Sequence, residues 1–331
     1  MSNLDFRLLN EFQRNWPLVP QPYAVVGEKL GVEESWVLDR LTAFQREGVV
    51  SRVGAVFAPG TIGASTLAAL EVPAERLNEV ADIVSAFPEV NHNYEREHRI
   101  NLWFVVTSQS EDRLAQVLGG IESRAQCGAL LTLRLEEEFR IDLGFDLRGE
   151  AAAGDLAAPK PAPAPQALTV SARRLVAALQ EGLQVVPRPF GALGDTADLG
   201  ETQVLEQLRR WTETGVIRRL GVIVRHRELG YRANAMVVWD VPDGLVRPMG
   251  IHLAQQAGVT LCYRRTRARP RWPYNLYCMI HGRSREAVLQ RIESIGARTG
   301  LQTFGREVLF SRTRFKQTGA RYVLPKELSY G

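Results

Sequence analysis

The sequence predicts an α+β protein made by tandem duplication, in which each half is a winged helix-turn-helix followed by a ferredoxin-like domain. Matching segments recur along the chain at a nearly constant spacing. Each half begins with a short helical unit, and the order strand, helix, strand, strand, helix, strand follows it. We therefore expect domains at residues 1–58 and 59–147 in the first half and at 168–225 and 226–331 in the second, with an Ala/Pro-rich linker at 148–167.

The duplication is visible as repeated words at related positions. Residues 48–50, Gly-Val-Val, match residues 215–217, Gly-Val-Ile, at a distance of 167 residues. Tyr94 matches Tyr263 at a distance of 169 residues. The small change in spacing falls in polar, loop-like stretches, where insertions are tolerated. The two halves are therefore homologous to each other.

The helical unit of each half carries an apolar stripe with the period of a helix. In the first half the third helix has Val37, Leu41 and Phe44 on one face, and Gly48 ends it. The second half repeats the stripe at Val204, Leu208 and Trp211. A strand follows at 49–57, and we expect the wing to donate this strand to the ferredoxin-like sheet. Further strands are predicted at 67–72, 101–107, 130–135, 235–241, 276–280 and 307–311, and helices at 77–87, 113–127, 247–257 and 285–299.

Composition points to an ordinary soluble protein of the cytoplasm. The chain has 331 residues, of which 45% are hydrophobic and 24% charged. No apolar run approaches the roughly 18 residues that a membrane span needs. The acid-bearing amphipathic N-terminus does not resemble a signal peptide. The three cysteines have no ligand-like spacing, so we expect a reducing compartment and no structural metal site.

Two polar segments preceding apolar strands are the main functional signal. Residues 91–104, NHNYEREHRINLWF, carry histidines, arginines and a tyrosine, and residues 260–278 repeat the plan with a Tyr and an Arg in matching positions. In the second copy five arginines fall within eight residues, at 264, 265, 267, 269 and 271. Arginine presents a planar, permanently charged fork to anions. A nucleic acid and a polycarboxylate small molecule both fit this pattern.

The architecture resembles the Lrp/AsnC transcription regulators, which raises DNA binding as one function. A recognition helix needs basic or amide side chains facing the groove. In the candidate helix Arg40 and Arg46 are offset by Asp39 and Glu47, and its second copy is similarly mixed. The positive charge lies instead in the ferredoxin-like part of each half. We therefore expect no nucleic acid partner, while a DNA-binding regulator remains an alternative.

The segments HNYER with NLWF, and CYRR with WPYNLYCMIHG, resemble those of siroheme decarboxylases in their fused, two-half form. The resemblance spans both halves and leaves out the linker. It implies an Lrp/AsnC-like architecture and a role in d-type haem or alternative haem biosynthesis. It further implies that two acetate side chains of siroheme lose carbon dioxide and become methyl groups, giving didecarboxysiroheme. A haem-binding sensor without catalysis is a second alternative.

The residue types suit this chemistry. Arginine forks hold carboxylates, aromatic side chains pack on a macrocycle, and histidine donates protons near neutral pH. No cofactor beyond the iron-containing substrate is expected, because the ring itself accepts electrons. The substrate-binding residues we predict are Tyr94, Arg96, Trp103, Tyr263, Arg264, Arg265, Arg267, Trp272 and Tyr274.

Two histidines are predicted to be catalytic, either as proton donors or as clamps on the reacting carboxylates. The resemblance selects His92 in HNY and His281 in MIHG. The second half has Leu261 in the position of His92, and the first half has Thr107 in the position of His281. This divergence leaves open one working site or two unequal sites.

The other three histidines, His98, His226 and His252, are predicted to be solvated. We expect the two halves to pair within one chain, with further dimerisation possible, and we expect no metal site made of protein ligands.

Overall fold

The computed structural model describes residues 1–141, 163, 168–225 and 233–323. Apart from Pro163, the predicted linker at 148–167 lies outside the described residues, as does His226. None of the described helices is long and apolar enough to cross a membrane.

The order of elements confirms a duplicated α+β chain. The first half contains α1 (Asn3–Glu11), α2 (Pro22–Leu30), α3 (Glu34–Arg46), β1 (Val50–Phe57), β2 (Ala64–Leu70), α4 (Leu77–Ser85), β3 (Val90–Arg96), β4 (Leu102–Ser108), α5 (Glu111–Ala125), β5 (Leu131–Leu133) and β6 (Leu135–Ile141). The second half contains α6 (Val170–Glu181), α7 (Pro189–Ala197), α8 (Glu201–Glu213), β7 (Ile217–Val224), β8 (Ala233–Trp239), α9 (Asp243–Ala254), β9 (Val259–Arg265), β10 (Leu276–Gly282), α10 (Arg285–Thr299) and β11 (Arg306–Gln317).

Local signals set the helix ends. Pro22 occupies the first turn of α2, where its missing N–H costs nothing, and Gly31 ends that helix with a φ of 75°. Ser110 and Ser284 each cap the start of a helix by accepting a backbone N–H, at the same point in both halves.

The two helical units do not form separate domains. Leu8, Tyr23 and Val37 of the first half share one core with Leu175 and Phe190 of the second. The Tyr23 hydroxyl donates to the carbonyl of Gln184 across the two halves, at 2.9 Å. The helices of both halves are thus joined into one layer by burial of a common apolar surface.

The expectation that each wing donates a strand to the ferredoxin-like sheet was wrong. β1 and β7 pair with each other, antiparallel, in a separate two-stranded sheet. Gly54 and Gly221 face each other at the centre of this pairing. The ferredoxin-like order does not need the wing, because β2 to β5 and β8 to β11 already supply it in each half.

Nine strands form the other sheet, in the order β5-β2-β4-β3-β11-β8-β10-β9-β6. The last strand of each half crosses into the other half. β6 follows β5 and pairs with β9, while β11 pairs with β8 in its first part and with β3 in its second. The two halves therefore exchange their C-terminal strands within one chain, which confirms that they pair internally.

Helices cover the outside of the nine-stranded sheet, and the two halves of the sheet face each other across an apolar layer. α4 and α5 pack on the first half of the sheet, and α9 and α10 pack on the second. The layer between the halves contains Trp103, Leu133, Trp272, Tyr277 and Leu309. Side chains that alternate toward this layer along β3 and β9 are thus held between the two halves.

Candidate functional site

His92 and Tyr94 lie on the face of β3 that looks away from the helices. Asn93, between them, points the other way, and its amide donates to the carbonyl of Ala81 in α4 at 3.0 Å. The rings of His92 and Tyr94 are stacked, with centroids 6.3 Å apart and planes 18° apart. Strand alternation thus places an imidazole and a phenol side by side, facing the opposite half of the molecule.

Hydrogen bonds fix the His92 ring at one edge. Its Nδ1 lies 3.0 Å from Oδ1 of Asn91, whose amide donates to the Thr107 hydroxyl at 3.0 Å. Burial lowers the pKa of His92 to about 4, and the nearby charge of Arg52 adds to the shift. The imidazole is therefore neutral at pH 7. Thr107, which stands where the second half has His281, belongs to the same network.

His281 lies on β10, on the same face as Tyr277 and Met279, two residues apart along the strand. Its Nδ1 lies 2.5 Å from Oδ1 of Asn234 on the neighbouring strand β8. The side chain is half-buried. His281 is thus held by a strand partner, as His92 is, but from a different strand of its own half.

Arg96 and Arg265 occupy equivalent positions at the two strand crossovers. The Arg96 Nη1 donates to the carbonyl of Leu309 at 3.1 Å, and the Arg265 Nη1 donates to the carbonyl of Leu133 at 2.9 Å. Each acceptor lies where a C-terminal strand leaves its own half for the other. The two arginines therefore bind the exchanged strands.

Each of these arginines also lies over a tyrosine. The guanidinium carbon of Arg96 is 6.0 Å from the ring centroid of Tyr94, and that of Arg265 is 5.1 Å from the ring centroid of Tyr263. Burial raises the pKa of Tyr263 well above its usual range, so this phenol stays protonated. Arg96 and Arg265 thus position the tyrosines as well as the crossovers.

The residues opposite the two tyrosines differ between the halves. Tyr94 pairs with Arg314 on β11, whereas Tyr263 pairs with Glu138 on β6. Burial raises the pKa of Glu138, and Arg218, 3.5 Å away, offsets part of that shift. A guanidinium in one half thus faces a carboxylate in the matching place of the other.

We name two groups of residues from this geometry. The first cluster consists of Arg52, His92, Tyr94 and Arg314. The second cluster consists of Glu138, Arg218, Tyr263 and His281. Both lie on sheet faces turned toward the opposite half or toward the wing sheet.

The predicted arginine loop is tied up by its own acids. Arg267 donates to Asp240 at 3.0 Å, to Asp243, and to the carbonyl of Pro273 at 2.7 Å. Arg264 pairs with Glu136 at 2.7 Å. These guanidinium groups stabilise the loop and its neighbouring strands, and they are not gathered around an open space.

The predicted aromatic contacts lie mainly in the core. Trp103 and Trp272 are 2% and 1% exposed, and their ring centroids are 4.9 Å apart in the layer between the halves. Tyr274 packs edge-on against Trp272 at 4.9 Å. His98, predicted to be solvated, is half-buried and packs edge-on against Trp272 at 5.4 Å. That prediction was wrong, because the loop before β4 folds onto the tryptophan.

Several charged residues near the clusters escaped the sequence reasoning, namely Arg14, Arg52, Glu138, Arg218, Arg219 and Arg314. One signal could have found two of them. Arg52 and Arg219 are 167 residues apart, the spacing that relates the two wing strands. The others come together only through strand exchange and wing pairing, which the sequence does not display.

Other possible sites lie apart from the clusters. A cavity of about 530 Å³ is lined by residues 59–65 and 109–111 together with Arg134, Arg173 and Tyr322, and it holds none of the predicted site residues. Within the described part of the chain, no three His, Cys, Asp or Glu side chains are grouped to hold a metal ion.

The face predicted to compete for DNA is also engaged internally. Arg40 pairs with Asp5 at 2.8 Å and lies 4.5 Å over the ring of Phe44. Arg209 of α8 donates to the carbonyl of Leu18 at 2.7 Å. These cations contribute to the helical layer rather than standing out as a row toward solvent.

Fold and sequence together place the chain in a known class. A family model described as an AsnC-like ligand binding domain matches residues 61–140 and 228–316. A second model, described as the siroheme decarboxylase NirDL-like HTH domain, matches residues 5–50 and 172–218. The chain is therefore a duplicated protein of Lrp/AsnC-like architecture.

Three relatives narrow this class. The siroheme decarboxylase NirDL subunit of Paracoccus denitrificans is 45% identical over 97% of both chains. A siroheme decarboxylase of Hydrogenobacter thermophilus is 32% identical over 97% of this chain and 96% of its own. A crystal structure of the siroheme decarboxylase NirDL in complex with an iron-uroporphyrin III analogue superposes with a TM-score of 0.71 and 28% identity, covering 99% of this chain and 97% of that one. The chain belongs to the siroheme decarboxylase family.

Proposed function

We propose that this chain removes the carboxyl groups from two acetate side chains of siroheme and yields didecarboxysiroheme, with the two clusters supplying protons and charge. Membership of the family supports the reaction and the substrate. The observation that carries the residue assignment is the stacked pair of His92 and Tyr94 beneath the charge of Arg52.

The chemistry needs a place for a proton and a place for an electron pair. When an acetate side chain loses carbon dioxide, the electrons of the broken carbon–carbon bond pass into the conjugated ring. The methylene carbon then takes one proton and becomes a methyl group. The step is neither an oxidation nor a reduction, so we expect turnover with siroheme alone and no added cofactor.

His92 is suited to deliver that proton once a carboxylate arrives. In the protein alone its imidazole is neutral, because burial and Arg52 disfavour the charged form. A substrate carboxylate beside the ring favours the imidazolium and raises the pKa toward neutrality. Binding of the anionic substrate thus loads the acid that the reaction consumes.

Tyr94 and Tyr263 provide a second type of donor. Their hydroxyl groups lie beside His92 and Glu138 respectively, and Arg96 and Arg265 hold their rings in place. A protonated phenol donates a hydrogen bond to a carboxylate or passes a proton to carbon without a change in net charge. We assign His281 the corresponding acid role in the second cluster, where Asn234 orients its ring.

The buried tryptophans and the ion-paired loop arginines have a different role. Trp103 and Trp272 form the layer on which the two halves meet, and Arg264 and Arg267 hold the loop that covers it. We propose that these four residues shape the space between the halves without touching the macrocycle.

The test is anaerobic turnover of siroheme, followed by the mass of the tetrapyrrole. We expect the wild-type protein to give a product lighter by two carbon dioxide groups. His92→Ala and His281→Ala should each lower the rate by about 100-fold or more, as expected for loss of a general acid. His252→Ala, at an exposed position on α9, is the matched control.

Two results would overturn the proposal. Full turnover by both His92→Ala and His281→Ala would remove these histidines from the mechanism. Tight binding of siroheme by the wild-type protein with no loss of mass would instead identify a haem-binding sensor.

A further inference from the structure

The wing sheet has two chemically different faces. Val53 and Ala55 of β1 and Leu220 and Val222 of β7 pack into the core of the helical layer. Alternation along the strands places the other side chains on the opposite face. That face carries Arg52 and Gly54 on β1 and Arg219 and Gly221 on β7. A two-stranded sheet thus presents two arginines, at matching positions of the duplicated halves, to the side away from its apolar core.

A third arginine lies beside this face. The segment after α1 runs along β7, because the Phe12 carbonyl accepts from Val222 N at 2.8 Å and Trp16 N donates to the Leu220 carbonyl at 3.2 Å. Arg14 lies between these two contacts and is exposed. Arg14, Arg52 and Arg219, which we name the wing arginines, therefore run from the surface inward.

The three charges act on one another. Burial lowers the pKa of Arg219 to about 10, and the charges of Arg14 and Arg52 add to the shift. Arg219 is only 7% exposed. Arg52 is half-buried, and its Nε has no hydrogen-bond partner among the described residues. Glu181 offsets part of the shift of Arg52.

Such an arrangement is costly for a protein that binds nothing there. Buried cations normally have an acid partner, and like charges held close together repel. A bound anion removes both costs at once, since it supplies the missing negative charge and accepts hydrogen bonds from several guanidinium groups. The anion must also lie near His92, because the charge of Arg52 reaches that ring.

We propose that the wing arginines form a shared anion site that holds carboxylates of the substrate which do not react. Siroheme carries propionate side chains as well as acetates, and these arms extend outward from the ring. The wing arginines grip them and so fix which acetate reaches the first cluster. The inference rests on the proposed function, and it assigns to the wing strands a positioning role in substrate binding.

The test uses iron-uroporphyrin III, which carries eight carboxylates, and measures its Kd by absorbance titration. Arg219→Gln and Arg14→Gln should each weaken binding by about 10- to 100-fold, as expected for loss of hydrogen bonds from a charged donor. Arg174→Gln removes the same charge from an exposed pair with Asp198 and should bind like the wild-type protein. In turnover of siroheme the loss should fall on KM more than on kcat.

Arg14→Gln guards against misfolding, because Arg14 is exposed while Arg219 is buried. Arg219→Lys keeps the charge and loses the fork, so it should bind between Arg219→Gln and the wild type. If both Gln variants bind iron-uroporphyrin III as tightly as Arg174→Gln, the shared anion site is refuted. Such a result with normal turnover leaves the decarboxylase assignment intact, whereas a wild-type protein that fails to decarboxylate refutes that assignment instead.

Discussion

The protonation of His92 makes stability depend on pH in a defined direction. Its pKa in the folded chain is about 4, compared with about 6.5 for an ordinary histidine. The unfolded chain therefore binds a proton over this interval while the folded chain does not. The sign follows: the contribution of His92 to stability is complete above pH 6.5 and is lost as the pH falls toward 4.

The size of this effect follows from the two pKa values. One pKa unit corresponds to 1.36 kcal/mol, so the full difference amounts to at most roughly 3 kcal/mol. The side chain is half-buried, and solvent reduces the figure further. Part of the shift comes from Arg52, so a smaller effect is expected when that charge is removed.

The perturbation is His92→Leu, because leucine already occupies the equivalent position 261 of the second half. Urea unfolding from pH 7.5 to pH 4 gives the free energy of unfolding at each pH. The wild-type protein should lose about 2 to 3 kcal/mol more than the variant over this range. His252→Leu, at an exposed position, should follow the wild-type curve. Parallel curves for wild type and His92→Leu would refute the assignment of a neutral, buried His92.

Further predictions concern the crossovers, the wing and the partner class. Arg96→Met and Arg265→Met should each lower the free energy of unfolding by about 2–4 kcal/mol in urea, because each leaves a crossover carbonyl without its charged donor; a loss below about 0.5 kcal/mol would contradict this role. Glu138→Gln should tighten binding of iron-uroporphyrin III severalfold in a titration by removing a repelling carboxylate, and weaker binding would contradict it. Gly319→Ala should keep the fold but displace Arg52, whose Nη1 would lie 2.8 Å from the new Cβ; an NMR titration should then show a higher His92 pKa, and an unchanged value would count against the contact. The protein should pass through a heparin column at physiological salt, and retention would favour the DNA-binding alternative.

Much of the fold could be predicted because its signals are local. The helix predicted at 285–299 agrees with α10, and Gly31 ends α2 as its position suggested. The duplication doubled this evidence, since each element was visible twice. Strand order and helix ends depend on periodicity, caps and glycines, which are written in neighbouring residues.

The pairing of strands between halves could not be predicted in the same way. β6 and β11 join the opposite half, and their partners lie more than 100 residues away in the chain. β3 and β9 did not look like strands, because their inward side chains are polar and charged. Residues such as His92 and Tyr94 break the apolar alternation that normally identifies a strand, since the layer they face is not apolar at that point.

The candidate site was partly predictable for a related reason. The segments that contain His92, Tyr94 and His281 were identified because both halves repeat a polar, basic pattern. The arginine loop had the same appearance, yet acids distant in sequence, such as Asp240 and Asp243, neutralise it. The wing arginines had the opposite history, because only the pairing of β1 with β7 brings Arg52 and Arg219 together. Charge density along a sequence therefore does not locate charge density in the fold.

A crystal structure of this chain with iron-uroporphyrin III bound tests most directly where the tetrapyrrole is held. We expect an acetate group within hydrogen-bonding distance of His92 or His281, and carboxylates of other side chains on the wing arginines. A macrocycle bound in the cavity lined by residues 59–65, or on the outer face of the helical layer, would contradict the proposed site.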